Sequence, residues 1–198
     1  MTYTLKYVIL KKNYKIEKML QISPYTVEVD SEITLRIRTA DEAPVLFALI
    51  KENQKHLNQF LYWVDLTHTI YDSGMFIEKI IKGYEKGTSC DFGIYLNGLL
   101  IGSGGLIEID AKNKSCEIGY WIAEAYQGKG IITRSVKKMI EIATEKYNIH
   151  RIVIRMDIEN TKSQSIPKKL GFTYEGTMRD LKIYKEKFRS IEIWSLLV

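Results

Sequence analysis

The sequence is poor in several features that mark specialised classes of protein. It has only two cysteines, Cys90 and Cys116, and three prolines in 198 residues. Two distant cysteines are too few for a disulfide framework or a zinc site, which indicates a reducing compartment. The apolar runs are short, and the N-terminus lacks a basic, apolar and small-residue succession, so neither a membrane span nor a signal peptide is expected. These absences predict a cytoplasmic protein without a bound metal.

An excess of charge of one sign is also missing. Lysine and arginine number 29 against 24 aspartates and glutamates, a net charge of +5 without an arginine-rich arm. Direct nucleic-acid binding is therefore not predicted, and an anionic small ligand explains the mild excess equally well. Length and composition predict one domain, at residues 31–198, after an N-terminal extension of unknown role at residues 1–30 that begins with a short strand over residues 3–9.

The stretch from Ser115 to Arg134 predicts a strand, a glycine turn and a helix. Apolar residues alternate through residues 116–122 and then recur at helical spacing after Gly130. Two glycines let the backbone approach a ligand, and the free N–H groups of a helix N-terminus favour an anion such as a diphosphate. No Gly-Lys-Ser/Thr sequence follows at the spacing of a phosphate-binding Walker loop, and the third glycine of the dinucleotide-binding fingerprint is missing, so nucleotide hydrolysis is not predicted. An ordinary strand-to-helix connection is the alternative.

The remaining patterns predict a mixed α/β domain with one large sheet. Asn97-Gly98 joins two extended runs, about 91–96 and 99–109, and is a strong hairpin signal. Gly102, Gly104 and Gly105 in the second run indicate a bulge or something packed against the backbone. Further strands are expected at about 32–38, 151–156, 174–185 and 190–197, and helices at about 45–50, 76–84, 131–146 and 162–170.

Three motifs in order, EIGYWI from Glu117, QGKG from Gln127 and DIENTKSQSIPKKLGF from Asp157, resemble the GNAT family of N-acetyltransferases. Within that family they are similar to the branch that modifies ribosomal proteins, and the resemblance spans residues 32–198. It implies a GNAT fold, with a single central, mostly antiparallel sheet of about seven strands, flanked by helices and splayed at the acetyl-CoA site. It also implies acetyl-CoA as cosubstrate and a possible homodimer through the sheet edge or the final strands.

The same resemblance assigns the residues of the site. The backbone of the turn would bind the cofactor diphosphate, and Ile132 replaces the small residue that usually ends the motif. The end of the strand would pair with the pantetheine arm, while an asparagine would hold the cofactor and a serine would face the sulfur. The cofactor-binding residues implied are Trp121, Ile122, Ala123, Gln127, Gly128, Lys129, Gly130, Ile131, Ile132, Asn160 and Ser163.

Acyl transfer to an amine needs a base, an oxyanion donor and a proton for the thiolate. Glu117 is the predicted general base, acting through water; a solvent-facing strand carboxylate is the alternative. A backbone N–H near Ile122 is the predicted oxyanion donor, and Ser163 the general acid, although Ser163 could instead be a helix cap. Cys116 points away from Glu117 by strand alternation and is interpreted as a core residue, so the transfer is expected to be direct.

The acceptor is predicted to be the N-terminal α-amine of a protein, in particular a ribosomal one. Because both partners would be basic, attraction would need a local acidic rim, for which the candidates are Asp65, Asp72, Glu108 and Asp110. The aromatic-rich residues 53–71 would form either a substrate lip or, for Phe60 and Trp63, part of the core. The alternatives are a small amine such as a polyamine, amino sugar or antibiotic, and a CoA-binding sensor without turnover.

Overall fold

A computed structural model describes residues 25–198, so the strand predicted over residues 3–9 lies outside the described residues. Five α-helices and eight strands are joined by short turns and by 3-10 turns at residues 40–42, 62–66 and 124–126. The helices are α1 (Ala43–Glu52), α2 (Gln54–Leu57), α3 (Ile70–Glu85), α4 (Ile131–Tyr147) and α5 (Thr161–Lys169). The strands are β1 (Thr26–Glu28), β2 (Ile33–Arg36), β3 (Cys90–Leu96), β4 (Leu99–Asp110), β5 (Ser115–Ile122), β6 (Arg151–Asp157), β7 (Thr173–Tyr184) and β8 (Lys187–Leu197).

All eight strands form one sheet in the order β1-β2-β3-β4-β5-β6-β8-β7. Every pair is antiparallel except β5 and β6, which confirms the predicted mixed α/β fold with a mostly antiparallel sheet. The extra strand relative to the expected seven is β1, which lies on the N-terminal side of the predicted domain boundary at residue 30 and pairs with β2.

The sheet opens between its two parallel strands. β5 pairs with β6 only from Ser115 to Glu117, opposite Arg151 to Val153, although both strands continue beyond these residues. The right-handed twist of the chain separates strands that lack ladder hydrogen bonds, so β5 and β6 diverge into a fork. Glu117 and Val153 form the last pair, at the apex of that fork.

One face of the sheet packs against α4 and carries the larger core. Gly104 lies directly under this helix, where an added Cβ would be 2.7 Å from Met139 Cε. Gly105 is equally restricted on the other face, because an added Cβ would be 2.4 Å from Asp91 Cα. The glycines of β4 therefore allow close packing against the backbone. The predicted bulge is a shift in the register of β4 against β3, between residues 100 and 102.

The opposite face is covered over half of its width. α1 and α3 pack against β4 and β3 around a second, smaller core that includes Leu46, Ile77 and Tyr95. Beyond β5, the half of this face formed by β6, β8 and β7 exposes charged side chains, including 48% of Arg155. This uncovered half adjoins the fork in the sheet.

Local sequence chemistry explains where most elements begin and end. Asn97 and Gly98 both have positive φ, 48° and 81°, as the predicted hairpin turn requires. α3 begins at Ile70, earlier than its apolar spacing indicated, because Thr69 and Asp72 form a reciprocal capping box. α5 ends before Gly171, whose φ of 78° fits the predicted C-cap glycine.

Candidate functional site

The glycine turn after β5 has the conformation that an anion site needs. Gly128 and Gly130 have φ values of 73° and 71°, and an added Cβ at either glycine would meet no atom within 4 Å. Gly130 is the N-cap of α4, and the first hydrogen bond of the helix runs from the Arg134 N–H to the Gly130 carbonyl, 3.1 Å. The preceding N–H groups of the helix thus have no intrahelical acceptor and lie at the positive end of its dipole.

A cleft of about 760 Å³ extends from this turn into the fork between β5 and β6. Most of the predicted cofactor-binding residues line it, which brings together three segments that are far apart in the sequence. Ala123 and Lys129 do not line it. Ala123 is buried, and Lys129 Nζ lies over the Tyr126 ring, 5.2 Å from its centroid. The predicted residues at the cleft are Trp121, Ile122, Gln127, Gly128, Gly130, Ile131, Ile132, Asn160 and Ser163.

Sequence patterns gave no indication of several other residues in the cleft. His56 on α2 reaches the turn, with its Nε2 atom 2.8 Å from Gln127 Nε2. Lys162 on α5 donates to Gln127 Oε1 at 2.9 Å, so three separate elements meet at one glutamine side chain. Lys169 also lines the cleft. These residues have no characteristic sequence spacing from the glycine turn. They reach the rim of the cleft because the fold places α2 and α5 there.

Asn160 and Ser163 have different local roles. The Asn160 Oδ1 atom accepts a hydrogen bond from the Ser163 N–H at 3.2 Å, so Asn160 caps α5 and the Ser163 hydroxyl does not. The Tyr120 hydroxyl, which also lies at the cleft, donates to the Ser163 carbonyl oxygen at 3.3 Å. This bond ties the start of α5 to the diverging end of β5.

The residues of the cleft fit acetyl-CoA. Beyond Glu117, the edge of β5 that faces β6 has no strand partner among residues 25–198, so its backbone groups are available to an extended amide chain such as pantetheine. The N–H groups at Gly130 suit a diphosphate, and Lys162 and Lys169 place positive charge at the cleft. These features would hold the cofactor chiefly through backbone groups. The large side chain of Ile132 does not remove those backbone groups.

Glu117 lies outside this cleft, in a second cavity of about 270 Å³ on the uncovered half of the sheet. Its Oε2 atom is 3.3 Å from Arg155 Nη1. Burial raises the pKa of Glu117, the positive charge of Arg155 opposes that shift, and the negative charge of Glu108 adds to it. A carboxylate with a raised pKa is a better proton acceptor than an exposed one.

Cys116 lies in the core, as strand alternation predicted. Only 4% of it is exposed, and burial raises the pKa of its thiol to about 12, with a contribution from the Glu117 charge. A thiol with so high a pKa contains almost no thiolate near neutral pH. These properties argue against Cys116 as an acyl-enzyme nucleophile.

The four candidates for an acidic rim have different local contacts. Asp72 caps α3, Asp110 accepts two backbone N–H bonds in the turn before β5, and Asp65 bonds to Asn58. Of the four, only Glu108 lines the second cavity, beside Glu117. Phe60 lines the cleft, where a substrate lip would lie. Trp63 belongs to the smaller core, with its ring centroid 6.0 Å from that of Trp121.

Residues 25–198 lack two further features. No helix in that range is both long and apolar enough to cross a lipid bilayer. In the same range, no three histidine, cysteine or acidic side chains converge in a way that could hold a metal ion.

Comparisons with known proteins agree with this geometry. The model of a family described as the acetyltransferase (GNAT) domain matches residues 32–173. The chain is 32% identical over 177 residues to YdaF of Bacillus subtilis (strain 168), a proposed ribosomal N-acetyltransferase, and the match covers 87% of this chain and 95% of YdaF.

Solved structures share the fold over nearly the same range. The microcin C7 self-immunity acetyltransferase MccE, in complex with acetyl-CoA and AMP, aligns with a TM-score of 0.84 and 28% identity, covering 90% of this chain and 99% of MccE. RimL, a ribosomal L7/L12 α-N-protein acetyltransferase in complex with CoA, aligns with a TM-score of 0.85 and 22% identity, covering 88% and 98%. At that identity the likeness to RimL concerns the fold.

Proposed function

We propose, since this chain belongs to the GNAT acetyltransferase family, that it transfers the acetyl group of acetyl-CoA to the N-terminal α-amine of a ribosomal protein. The cosubstrate is supported by the cleft and by the acetyl-CoA complex of MccE. The acceptor class is supported by the similarity to YdaF and by RimL, a ribosomal L7/L12 α-N-protein acetyltransferase whose fold the chain shares.

The observation that carries the proposal is the position of Glu117 at the apex of the fork. The cleft ends inside the fork beside Trp121 and Ile122, and Glu117 lies on the same face of β5 as Trp121. Trp121 lies four positions after Glu117 along the strand, a distance of about 13 Å. An amine that approaches from the uncovered face would meet the carboxylate on one side and the end of the cofactor on the other.

The side chains near the fork suit the proton transfers that the reaction requires. Acetyl-CoA would supply the thioester carbonyl that the amine attacks. Glu117 would accept the proton of the acceptor ammonium through a water molecule, which leaves an uncharged nitrogen. The Ile122 N–H would donate to the carbonyl oxygen, and the Ser163 hydroxyl would donate to the departing thiolate. These roles assign Glu117 as general base and Ser163 as general acid.

The basicity of the acceptor favours an α-amine over a lysine side chain. An α-amino group has an ordinary pKa of about 8, whereas a lysine side chain has one of about 10.4. A carboxylate therefore has less proton affinity to overcome with an N-terminal amine. This difference would direct the transfer to protein N-termini near neutral pH.

A small-molecule amine is the second candidate acceptor. The likeness to MccE, whose complex contains AMP beside acetyl-CoA, has higher identity than the likeness to RimL, 28% against 22%. The polar cleft walls near His56 and Gln59 could accommodate such a ligand.

We also propose that the protein is a cytoplasmic homodimer. β7 is the edge strand of the sheet, and the hairpin that it forms with β8 exposes Leu181, Ile183 and Phe188 by 48%, 66% and 66%. Apolar side chains on an edge strand favour pairing with a second copy. Light scattering after size-exclusion chromatography measures the mass of the particle directly.

Intact-protein mass spectrometry tests the enzymatic proposal. Unacetylated ribosomal proteins would be incubated with acetyl-CoA and either the native enzyme, Glu117→Gln or Glu85→Gln, the last removing an exposed carboxylate on α3 away from both cavities. We expect one acetyl group on the N-terminus of one protein, at similar rates with the native enzyme and Glu85→Gln and far more slowly with Glu117→Gln. Acetylation of small amines but of no protein would favour the second candidate instead.

A further inference from the structure

The cavity beside Glu117 is lined by charges of both signs. Glu108 and Glu117 lie on the β4 and β5 side, whereas Arg151 and Arg155 extend from β6. Such a site suits a ligand with an ammonium and a carboxylate a short distance apart, because each charged group would face one of opposite sign.

The two arginines differ in how firmly they are held. Arg151 makes a two-fold contact with Glu175, at 2.7 and 2.5 Å, and the Glu175 carboxylate also accepts from Ser195 at 2.6 Å. These bonds lower the pKa of Glu175 to about 2. Arg151 is thus committed to joining β6 to the edge of the sheet.

Arg155 is held by much less. Its ion pair with Glu117 is a single contact of 3.3 Å, outside the range of a good hydrogen bond, and 48% of its side chain is exposed. A single long contact to a half-exposed arginine contributes little to stability, even though Glu117 itself is mostly buried. Arg155 can therefore leave Glu117 for another carboxylate at small cost.

Gly119 leaves space on the strand between this cavity and the cofactor cleft. Gly119 lies between Glu117 and Trp121 on the same face of β5, and it has no side chain to fill the space. An added Cβ there would contact only Ile107 Cδ1, at an ordinary 3.7 Å. An amine can thus pass over Gly119 from one cavity toward the other.

We propose that the cavity beside Glu117 is the acceptor subsite, and that Arg155 selects polypeptides with a carboxylate at their second or third residue. This inference rests on the proposed transfer to an N-terminal amine. The acceptor carboxylate would draw Arg155 away from Glu117, which frees Glu117 to accept the proton of the ammonium through water. Arg155 is then a specificity-determining residue, and an acidic partner matches the net charge of +5.

The size of the site sets the position of the acidic residue. Arg155 and Glu117 are in contact, so groups bound to them would lie within about two residues of each other in an extended chain, which spans about 3.3–3.6 Å per residue. A carboxylate much farther from the amine would pass beyond the cavity.

The test uses three peptides of equal length that begin with serine and continue with aspartate, asparagine or lysine. For the native enzyme with acetyl-CoA, we expect kcat/KM for the aspartate peptide to exceed that for the asparagine peptide by about tenfold, the order of a charge-assisted hydrogen bond. The lysine peptide should be poorer still. Calorimetric binding of the same peptides with desulfo-CoA present should give the same order.

Three variants separate recognition from general electrostatic attraction. Arg155→Gln should reduce the aspartate preference to within about twofold, and Arg155→Lys should restore part of it. Lys137→Gln removes the same charge from an exposed position on α4, on the opposite face of the sheet, and should leave the preference unchanged. A preference that survives Arg155→Gln overturns the proposal.

Gly119→Leu tests the path between the cavities. The substitution should raise the KM for every peptide while leaving acetyl-CoA affinity unchanged, and Gly119→Ala should have a smaller effect on KM. Unaltered peptide kinetics in Gly119→Leu would contradict the proposed path. If the native enzyme acetylates the asparagine and aspartate peptides equally, the inference fails while the proposed function stands. If no peptide is acetylated, the proposed function fails and the inference fails with it.

Discussion

The face of the sheet that carries Glu117 has two halves, and each contains an ion pair in a different setting. Under α1 and α3, Arg38 is fully buried and bonds Asp91 and, at 3.1 Å, Ser103, while its Nε and Nη1 atoms have no partner within residues 25–198. Beyond β5, Arg155 contacts Glu117 from a half-exposed position. Arg38 cannot exchange Asp91 for another partner unless the covering helix α3 moves. Arg155 can exchange Glu117 for a group of a ligand.

This difference shows that an ion pair is not functional by virtue of its charges alone. Covering helices make the Arg38–Asp91 pair a part of the fold, because exposing it requires α3 to move. No element within residues 25–198 covers Arg155 in this way, so among these residues nothing blocks an acceptor from the Glu117 carboxylate. Under the proposed function, the stability of the molecule and its chemistry depend on separate halves of one surface.

The largest expected effect is on stability in the covered half. Asp91→Ala would leave the Arg38 charge buried with only Ser103 as partner, which costs about 3–5 kcal/mol. Urea denaturation would measure this loss. Adding Arg38→Met should recover most of the loss, because a well-packed apolar side chain replaces the buried charge. Equal stability of the single and double variants would contradict the comparison.

In the uncovered half the largest effect should be on rate. Glu117→Gln is expected to lower kcat by about 100-fold or more, the usual contribution of a general base. The free energy of unfolding should change by less than about 1 kcal/mol, since the partner Arg155 stays hydrated. A large loss of stability with little loss of rate would reverse the roles of the two halves.

A smaller effect is expected at the cofactor turn. A non-glycine residue at the left-handed position of Gly130 costs about 1–2 kcal/mol, so Gly130→Ala should weaken acetyl-CoA binding by about tenfold in calorimetry. Gly87, after α3, has a similar φ of 68° and lies away from the cleft. Gly87→Ala serves as the control and should reduce stability without changing acetyl-CoA affinity.

The smallest effect concerns the pH dependence of kcat/KM. Glu117 acts as a base only when ionised, so activity falls as the pH decreases through its pKa. Burial raises this pKa, Arg155 lowers it and Glu108 raises it. Arg155→Gln removes the lowering charge, so the acid limb should move to higher pH, whereas Lys137→Gln should leave it in place. A shift to lower pH would exclude Glu117 as the group that titrates.

Local sequence chemistry was sufficient for much of the fold. The hairpin at Asn97-Gly98, the glycine turn before α4 and the cap of α5 at Asn160 each depend on residues within four positions of one another. Such short-range preferences operate in any chain with those residues, so they could be predicted from the sequence. The strand around Glu117, including the burial of Cys116, followed from simple alternation.

Only the tertiary structure decided how these pieces form a site. His56 reaches Gln127 across 71 residues, and Arg155 meets Glu117 because β6 pairs in parallel with β5 for three residues and then diverges. These contacts depend on strand order and on the width of the fork, which are set by the packing of the whole sheet. The sequence by itself determined the turn that suits a cofactor, the strand and the caps. The two cavities, and the loosely held Arg155 in one of them, arose from the way distant strands pack together, which short-range preferences do not encode.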